Sequence, residues 1–240
     1  MTHQDILEWD IPTWARALGF WEKIIDEQSM QLAYGLEIGA HHGGISLFFA
    51  KRYGAKMVCT DLNNASEKAK SLHLKYNVGP QIEYITLDAT QIPFPENSFD
   101  FVVFKSVLGA IGRNDQPEKQ QQAIAEIHRV LKPGGILFFA ENLQGSTLHR
   151  LARRFFVPWG KSWRYLTLNE LSKWLSVFEY KNVYSTGFLS AFVPNEGWLK
   201  NQMAGLDNHL SFLPKNWKYV AFGFARKKII VHSSYFILHS

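Results

Sequence analysis

The chain has 240 residues, of which 46% are hydrophobic and 20% are charged. This balance fits one globular domain with a substantial core and excludes a disordered chain. The formal net charge of +5 is too small by itself to indicate nucleic-acid binding. We expect no signal peptide, because the first ten residues are acidic and lack an apolar core. We expect no membrane span, because no apolar run reaches ~18 residues. The single cysteine, Cys59, excludes an internal disulfide and predicts a reducing, cytoplasmic location.

Residues 10–28 predict an amphipathic helix. Asp10 is placed to cap this helix, and Pro12 suits its first turn. Apolar residues recur at spacings of three and four and share one face: Ile11, Trp14, Leu18, Trp21 and Ile25. Such a stripe is typical of core packing, but it also fits a lid over a ligand pocket. The first interpretation makes the helix part of the core, and the second makes residues 1–31 an N-terminal helical lid.

Five short apolar runs follow, each rich in β-branched or aromatic residues, as buried parallel strands are. They cover 32–38, 55–60, 81–87, 99–104 and 135–140. The segments between them predict helices: one that stops at Gly54, one over 65–76, and one over 117–131 with Asp115 as its N-cap. Alternating strands and helices with short connections predict a parallel sheet covered on both faces.

The later part of the chain is organised differently. A capping box from Thr167 to Glu170 predicts a helix that ends near Phe178. Two more strands are predicted over 180–186 and 217–226. We therefore expect a single domain with a cofactor-binding core at 32–142 and a last strand that ends by Lys228. Two insertions, 143–166 and 187–216, are expected on the substrate side. The apolar residues after Lys228 fit either a strand extension or a disordered end.

Three acidic residues follow three successive predicted strands. Glu37 stands beside a glycine-rich turn between the first strand and the next helix, and a carboxylate there suits a cationic amine better than a pyrophosphate. Asp61 ends the second strand, where an acid accepts hydrogen bonds from ribose hydroxyls. Asp88 follows the third strand, where a carboxylate can accept the amine of an adenine. Because these strand ends converge on one crevice, the three acids predict a nucleoside site.

The segment from Gly35 to Asn142 resembles the class I S-adenosylmethionine-dependent methyltransferases. The resemblance covers slightly under half of the chain. It rests on four strings: LEIGAHHGG, CTDLN, LDATQIPFPENSFDFVVFKSVL and RVLKPGGILFFAEN. It implies a Rossmann-like, seven-stranded, mostly parallel sheet with helices on both faces and a C-terminal antiparallel hairpin. It also implies S-adenosyl-L-methionine as the cofactor and in-line methyl transfer as the reaction.

The resemblance implies a role for each matching residue. Those of the turn would hold the methionine part of the cofactor, those after the second and third strands the ribose and adenine, and those after the fourth strand the sulfonium side. In chain order they are Glu37, Gly39, Ala40, His41, Gly43, Asp61, Leu62, Asp88, Ala89, Lys105 and Ser106. The family usually has glycine where His41 stands. Because histidine tolerates positive φ better than most residues, we expect the turn to persist.

A general base is not obligatory for methyl transfer, and the weak catalytic candidates are His41, His149 and Tyr165. No metal site is expected, because the pair of adjacent histidines is too short a motif by itself. The stretch 149–165 mixes basic and aromatic residues and predicts a small acceptor that is anionic or aromatic. A macromolecular acceptor (tRNA, protein or lipid-linked glycan) and a non-catalytic binding protein remain alternatives. The string FKSVLG after the fourth strand argues against a nucleobase amine as the acceptor.

Overall fold

The computed structural model describes residues 1–63, 66–156 and 162–229. They form one sheet of seven strands in the order β3-β2-β1-β4-β5-β7-β6. The strands are β1 (Tyr34–Ile38), β2 (Lys56–Asp61), β3 (Ile82–Thr86), β4 (Phe99–Lys105), β5 (Leu131–Asn142), β6 (Tyr180–Thr186) and β7 (Val220–Arg226). The first five pair in parallel. Strand β7 lies between β5 and β6 and runs antiparallel to both.

Helices cover both faces of this sheet, as the alternation of strands and helices predicts. They are α1 (His3–Leu7), α2 (Ile11–Glu27), α3 (Gly44–Tyr53), α4 (Glu67–Lys75), α5 (Leu108–Ile111), α6 (Pro117–Val130), α7 (Thr147–Phe156), α8 (Leu168–Trp174) and α9 (Trp198–Asp207). Among the described residues, no helix has both the length and the hydropathy that a membrane-spanning helix needs. The fold is therefore the predicted Rossmann-like sheet with its closing antiparallel pair.

Two apolar layers hold the sheet and its helices together. On one face α1, α2 and α3 pack on the sheet, with Trp14, Trp21 and Phe49 all at most 1% exposed. On the other face α5, α6 and α8 pack on alternate residues of the same strands. The stripe on α2 therefore lies in the core, and the indole of Trp21 also donates a hydrogen bond of 3.1 Å to the carbonyl of Gly223 in β7.

Two of the predicted helix caps are wrong in detail. Asp10 occupies the N-cap position of α2, but its side chain makes no capping hydrogen bond; it accepts one of 2.5 Å from the hydroxyl of Tyr219 instead. Asp115 is not the N-cap of α6, since Gln116 occupies that position. The carboxylate of Asp115 pairs with Arg164 at 3.0 Å. In both cases the carboxylate binds a partner that is distant in sequence, although the local sequence pattern predicts that it caps the helix.

The other predicted boundaries agree to within a few residues. The capping box of Thr167 and Glu170 is present at the start of α8, and Gly54 ends α3 in the left-handed conformation. Strand β5 begins at Leu131, four residues before the predicted start. The predicted insertions contain α7 in the first and α9 in the second; their substrate-side role stays a prediction. The tail prediction falls on residues 230–240, which lie outside the described ones.

Candidate functional site

Charged side chains gather at the carboxyl ends of the parallel strands. Glu37 lies in β1 next to its end, Asp61 ends β2, Asp88 follows β3, and Lys105 ends β4. Glu141 is the penultimate residue of β5 and was not singled out from the sequence. In an open α/β sheet these strand ends face one crevice, which is where ligands bind. The sheet therefore brings together the acids that the sequence analysis selected and adds one more.

The turn between β1 and α3 adopts a left-handed backbone at three positions. Gly39 has φ 66°, His41 has φ 50° and Gly43 has φ 78°. A Cβ atom on Gly39 would lie 2.6 Å from the side chain of Val107, and one on Gly43 would lie 2.7 Å from the ring of His73. The two glycines are thus required by close packing as well as by φ. The expectation that His41 tolerates a positive φ in this turn is confirmed.

Glu37 is buried at the start of the crevice. Its Oε2 accepts a hydrogen bond of 2.8 Å from the backbone N–H of Ser46 and another from the Ser46 hydroxyl. Burial raises the pKa of this carboxyl to about 7, although the bonds from Ser46 and the charge of Lys105 oppose the shift. The carboxylate thus anchors the first turn of α3. Its predicted contact with a methionine amine stays a prediction.

The ends of β2 and β3 present the groups that a nucleoside would need. The Oδ2 of Asp61 accepts a hydrogen bond of 3.0 Å from the backbone N–H of His41, which ties this carboxylate to the turn. The adjacent Leu62 is 66% exposed, which is high for a leucine beside a buried strand. Asp88 accepts two hydrogen bonds of 2.8 Å from Thr90, and Ala89 is buried behind it. Asp61 and the exposed Leu62 therefore stand side by side at the end of β2, and their roles toward ribose and adenine stay predictions.

Lys105 is a buried lysine at the end of β4. Its side chain is buried, and its Nζ lies 3.2 Å from the ring centroid of Trp9 and 5.1 Å from that of Trp14. Among the described residues, no acceptor forms a hydrogen bond with this Nζ. Burial lowers the pKa of the amine to about 7, while the carboxylates of Glu8 and Glu37 oppose the shift. A buried amine without an acceptor is the mark of a site built for a ligand.

The backbone after β4 is held in place by β5. Ser106 has a positive φ of 58°, and its Oγ accepts a hydrogen bond of 2.6 Å from the amide of Asn142. The Oε2 of Glu141 accepts hydrogen bonds of 2.9 Å and 2.7 Å from the backbone N–H groups of Val107 and Leu108. Burial raises the pKa of Glu141 to about 7. The signal for Glu141 was its place at the end of a buried strand, among acids of the same kind.

Helix α1 lies beside the turn, and the sequence analysis did not predict it as a separate helix. Helix α1 begins with a capping box in which Thr2 and Asp5 bond each other, a local signal that is readable in the sequence. The loop after it holds Glu8 at φ 68° and Asp10 at φ 46°. Such backbone strain away from glycine concentrates at ligand clamps and switch regions. Trp9 of this loop contacts Lys105. This contact supports the predicted lid function of the segment, which stays a prediction.

The residues of the crevice fit S-adenosylmethionine. The turn lets a ligand approach the backbone because its two glycines lack side chains. Asp61 and Leu62 suit an adenosine, and the amine of Lys105 and the hydroxyl of Ser106 border the end of β4 where the methionine side would lie. The polar groups of the crevice include carboxylates and an amine, and these match the positive and negative groups of a zwitterionic amino-acid ligand.

A second cavity of about 360 Å³ opens beside the end of β5. It is lined by basic and aromatic side chains together with one amide: Gln144, Arg150, Arg153, Arg154, Trp163, Arg164 and Tyr165. The backbone N–H of Arg164 donates to the carbonyl of Gly109 in α5, and a Cβ atom on Gly109 would lie 3.0 Å from the indole of Trp163. The cavity therefore borders the segment that directly follows Lys105 and Ser106.

The three weak catalytic candidates lie in different surroundings. His149 is buried and stacks on Phe192; its Nδ1 lies 2.8 Å from the Ser146 hydroxyl and its Nε2 lies 2.9 Å from the Phe188 carbonyl. Because both ring nitrogens are engaged, this placement favours a structural role. Tyr165 lines the cavity under the guanidinium of Arg153, 4.0 Å from its ring centroid. His41 is exposed and pairs with a carboxylate of the N-terminal loop.

The matches to known proteins fall on the cofactor-binding half of the chain. Residues 36–139 match a family profile described as a methyltransferase domain. The ubiquinone/menaquinone biosynthesis C-methyltransferase of Hahella chejuensis is 33% identical over 109 residues, which are 44% of this chain and 41% of that protein. The corresponding protein of Escherichia fergusonii is 31% identical over 110 residues, with the same shares. The matched segment thus spans less than half the length of these relatives.

Solved structures resemble nearly the whole chain. An S-adenosylmethionine-dependent methyltransferase from Methanosarcina mazei has a TM-score of 0.61 at 22% identity and covers 86% of this chain and 98% of its own. A phosphoethanolamine N-methyltransferase from Haemonchus contortus, solved with S-adenosylhomocysteine, has a TM-score of 0.61 at 17% identity over 90% of this chain and 53% of its own. The [4+2]-cyclase SpnF has a TM-score of 0.59 at 18% identity, covering 87% and 81%. Residues 36–139 therefore carry a methyltransferase domain, and the fold of the chain is the one seen in solved S-adenosylmethionine-dependent methyltransferases.

Proposed function

We propose that this protein transfers a methyl group from S-adenosylmethionine to a small, anionic aromatic acceptor. The observation that carries the proposal is the adjacency of two sites. The crevice at the ends of β1 to β4 suits the cofactor, and Trp163 of the arginine-lined cavity lies against Gly109, four residues after Lys105. The guanidinium groups of Arg150 and Arg154 favour an anion, whereas Arg164 already pairs with Asp115 and Glu170. Trp163 and Tyr165 favour a planar ring.

The comparisons support methyl transfer without deciding it. One structural neighbour is a cyclase, so the shared fold accommodates more than one reaction. The relatives named as C-methyltransferases match less than half of their own length. The proposal for the reaction therefore rests on the matched cofactor motifs, and the proposal for the acceptor rests on the chemistry of the cavity.

The chain's own residues would align the reactants. When bound, S-adenosylmethionine supplies an electrophilic methyl group on a sulfonium. The chain would have to hold the acceptor's nucleophilic atom in line with that methyl group and its bond to sulfur, and a proton released by the acceptor would pass to solvent. The guanidinium groups would orient the acceptor, and the cover of Trp9 over Lys105 would exclude water from the reacting centre.

Calorimetry with the intact chain tests the cofactor assignment. S-adenosylmethionine and S-adenosylhomocysteine should bind with micromolar affinity, and NADH should not. Asp61→Ala should abolish binding, because the variant loses the carboxylate that faces the ribose and ties down the turn. The matched control is Asp26→Ala, which removes an exposed acid at the end of α2. Absence of binding by the unmodified protein would favour a non-catalytic member of the fold.

Acceptor variants test the substrate class. Transfer of labelled methyl would be followed with aromatic compounds that differ only in a carboxylate or phosphate group. In the double variant Arg150→Gln, Arg154→Gln we expect the KM for anionic acceptors to rise about twofold to thirtyfold, because each exposed ion pair contributes about 0.2–1 kcal/mol. The kcat should change little, since binding to ground and transition states is weakened equally.

The control for this experiment is Arg52→Gln, which removes a guanidinium at the far end of α3. Equal activity with neutral acceptors, or a KM unmoved by the double variant, would contradict the anionic acceptor while leaving methyl transfer intact. Transfer to RNA with a strong dependence on salt would instead favour the macromolecular alternative.

A further inference from the structure

Two histidines and one glutamate meet where the N-terminal loop covers the glycine-rich turn. The Oε2 of Glu8 lies 2.8 Å from the Nδ1 of His41 and 3.3 Å from the Nδ1 of His42. One ligand atom from each of the three residues lies within 4.8 Å of the other two. We propose that Glu8, His41 and His42 bind a divalent transition-metal ion of the Zn²⁺ class.

The hydrogen bond on the far side of His42 supports this assignment. Its Nε2 lies 3.1 Å from the backbone carbonyl of Asp5. A carbonyl oxygen only accepts, so the ring proton belongs on Nε2, and a neutral ring then turns the lone pair of Nδ1 toward the carboxylate of Glu8. Two lone pairs facing each other at 3.3 Å repel unless a proton or a metal ion lies between them. Metal-binding histidines are oriented by this same kind of second hydrogen bond to a carbonyl.

The carboxylate of Glu8 is oriented in the same manner. Lys68 pairs with its Oε1 and leaves Oε2 directed at the two rings. Zinc binds nitrogen and oxygen ligands at about 2.0–2.2 Å, which separates tetrahedral ligands by about 3.3–3.5 Å. The 3.3 Å pair of Glu8 and His42 already matches this spacing. The 2.8 Å pair needs an outward shift of about half an ångström, and the side chain of His41, which is 69% exposed, is free to make it.

Three protein ligands leave one tetrahedral position for solvent. A cavity of about 360 Å³, bounded in part by Glu8, His42 and Lys68, opens beside the cluster and gives access to that position. Imidazole nitrogens suit zinc, copper, nickel or cobalt, whereas magnesium and calcium prefer sites made of oxygen. The mixed donor set therefore selects a transition metal. Bound there, the ion would fasten the loop after α1 to the turn after β1.

The sequence alone concealed this site because its third ligand is distant. The adjacent histidines are too short a motif by themselves, and Glu8 lies 33 residues before His41. The fold joins them by packing α1 on α3, where the carbonyl of Ile6 lies so near Gly44 that a Cβ atom there would approach it to 2.2 Å. The metal site is independent of the proposed methyl transfer.

Metal titration of the full-length chain tests the site. Protein stripped with a chelator would be titrated with Zn²⁺ by calorimetry and with Co²⁺ by visible absorption, which reports tetrahedral coordination. We expect one ion per chain, with Glu8→Gln, His41→Ala and His42→Ala each weakening Zn²⁺ binding at least about tenfold, since even second-shell changes cost that much. His209→Ala, at an exposed histidine after α9, should bind as the unmodified chain does.

Folding of each variant would be checked by circular dichroism without metal. Because His42 is buried and His41 is exposed, the His41→Ala and Glu8→Gln variants carry the test if His42→Ala does not fold. Zn²⁺ affinity that stays within about twofold of the unmodified chain in both variants would overturn the proposal. So would a Co²⁺ spectrum that lacks tetrahedral absorption.

Discussion

Lys105 shows how burial changes the chemistry of a single residue. An exposed lysine is an ammonium ion at neutral pH, but the pKa of this amine is about 7 because the fold removes it from water. Its contacts with Trp9 and Trp14 offset only part of that desolvation. Near neutral pH the group is thus present in both forms, which suits a position beside a site for a positively charged sulfonium.

Replacing this residue should make stability depend differently on pH. The folded pKa lies below the usual 10.5, so burying the ammonium costs folding free energy at pH 7 and below, and the cost is relieved as pH rises from about 7 toward 10.5. Lys105→Met should therefore raise the free energy of unfolding by about 1–4 kcal/mol below pH 7, and the gain should shrink near about pH 10.

Urea unfolding at about pH 6.5 and about pH 9.5 measures this difference. Lys119→Met serves as the control because Lys119 is exposed on α6. A gain of equal size at both pH values would contradict the assigned shift.

At this scale the sequence located residues better than it described their partners. Glu37, Asp61 and Asp88 were selected because strand ends converge in any open α/β sheet, and Lys105 was selected from the family resemblance. The partner of Glu37, Ser46, lies on the next helix, and the covering Trp9 lies 96 positions before Lys105. Such contacts depend on tertiary packing, which leaves no local pattern to read.

Helix α2 shows what periodicity can establish about an element. Its apolar stripe predicted a helix over 10–28, and the observed helix spans Ile11–Glu27. Only the structure shows what the apolar stripe packs against, because a helix face in the core and a helix face in a lid have the same period. Helix α1 was missed because its five residues carry a capping signal but too little apolar periodicity to indicate a helix.

One position in α2 leaves room for improved stability. Gly19 lies in the middle of the helix, is exposed, and has nothing within 4 Å of where a Cβ atom would stand. Gly19→Ala should raise the free energy of unfolding by about 0.5–1 kcal/mol, because alanine loses less backbone entropy in a helix.

Gly43→Ala is the contrasting variant for this measurement. Its positive φ and its close approach to His73 should lower the free energy of unfolding by about 1–3 kcal/mol. Thermal and urea unfolding of both variants would be compared with the unmodified chain. Equal changes in the free energy of unfolding in the two variants would contradict the idea that φ and the space around each glycine determine the effect of adding a methyl group.

At the scale of the whole molecule, the sequence indicated the parallel and antiparallel parts of the sheet but not the order of its strands. Continuous apolar runs separated by helices predicted the parallel part, and the resemblance implied the antiparallel pair. The structure places β7 between β5 and β6, with Gly223 so close to β6 that a Cβ atom would lie 1.9 Å from the carbonyl of Asn182. The sequence indicated the arginine-lined cavity only as a basic and aromatic composition, because the fold is needed to bring Arg150 and Arg153 beside Trp163 and Tyr165.

The position of β7 also has a consequence for synthesis on the ribosome. Trp21 binds the carbonyl of Gly223, 202 residues later, and Thr13 and Asp10 both contact the hydroxyl of Tyr219. At about 5–20 residues per second, translation of that interval takes about 10–40 s. Throughout this time the apolar face of the N-terminal helix has no strand to complete its burial. A nascent chain of this protein is thus a natural client for a chaperone that shields one amphipathic helix until translation of the last strand is finished.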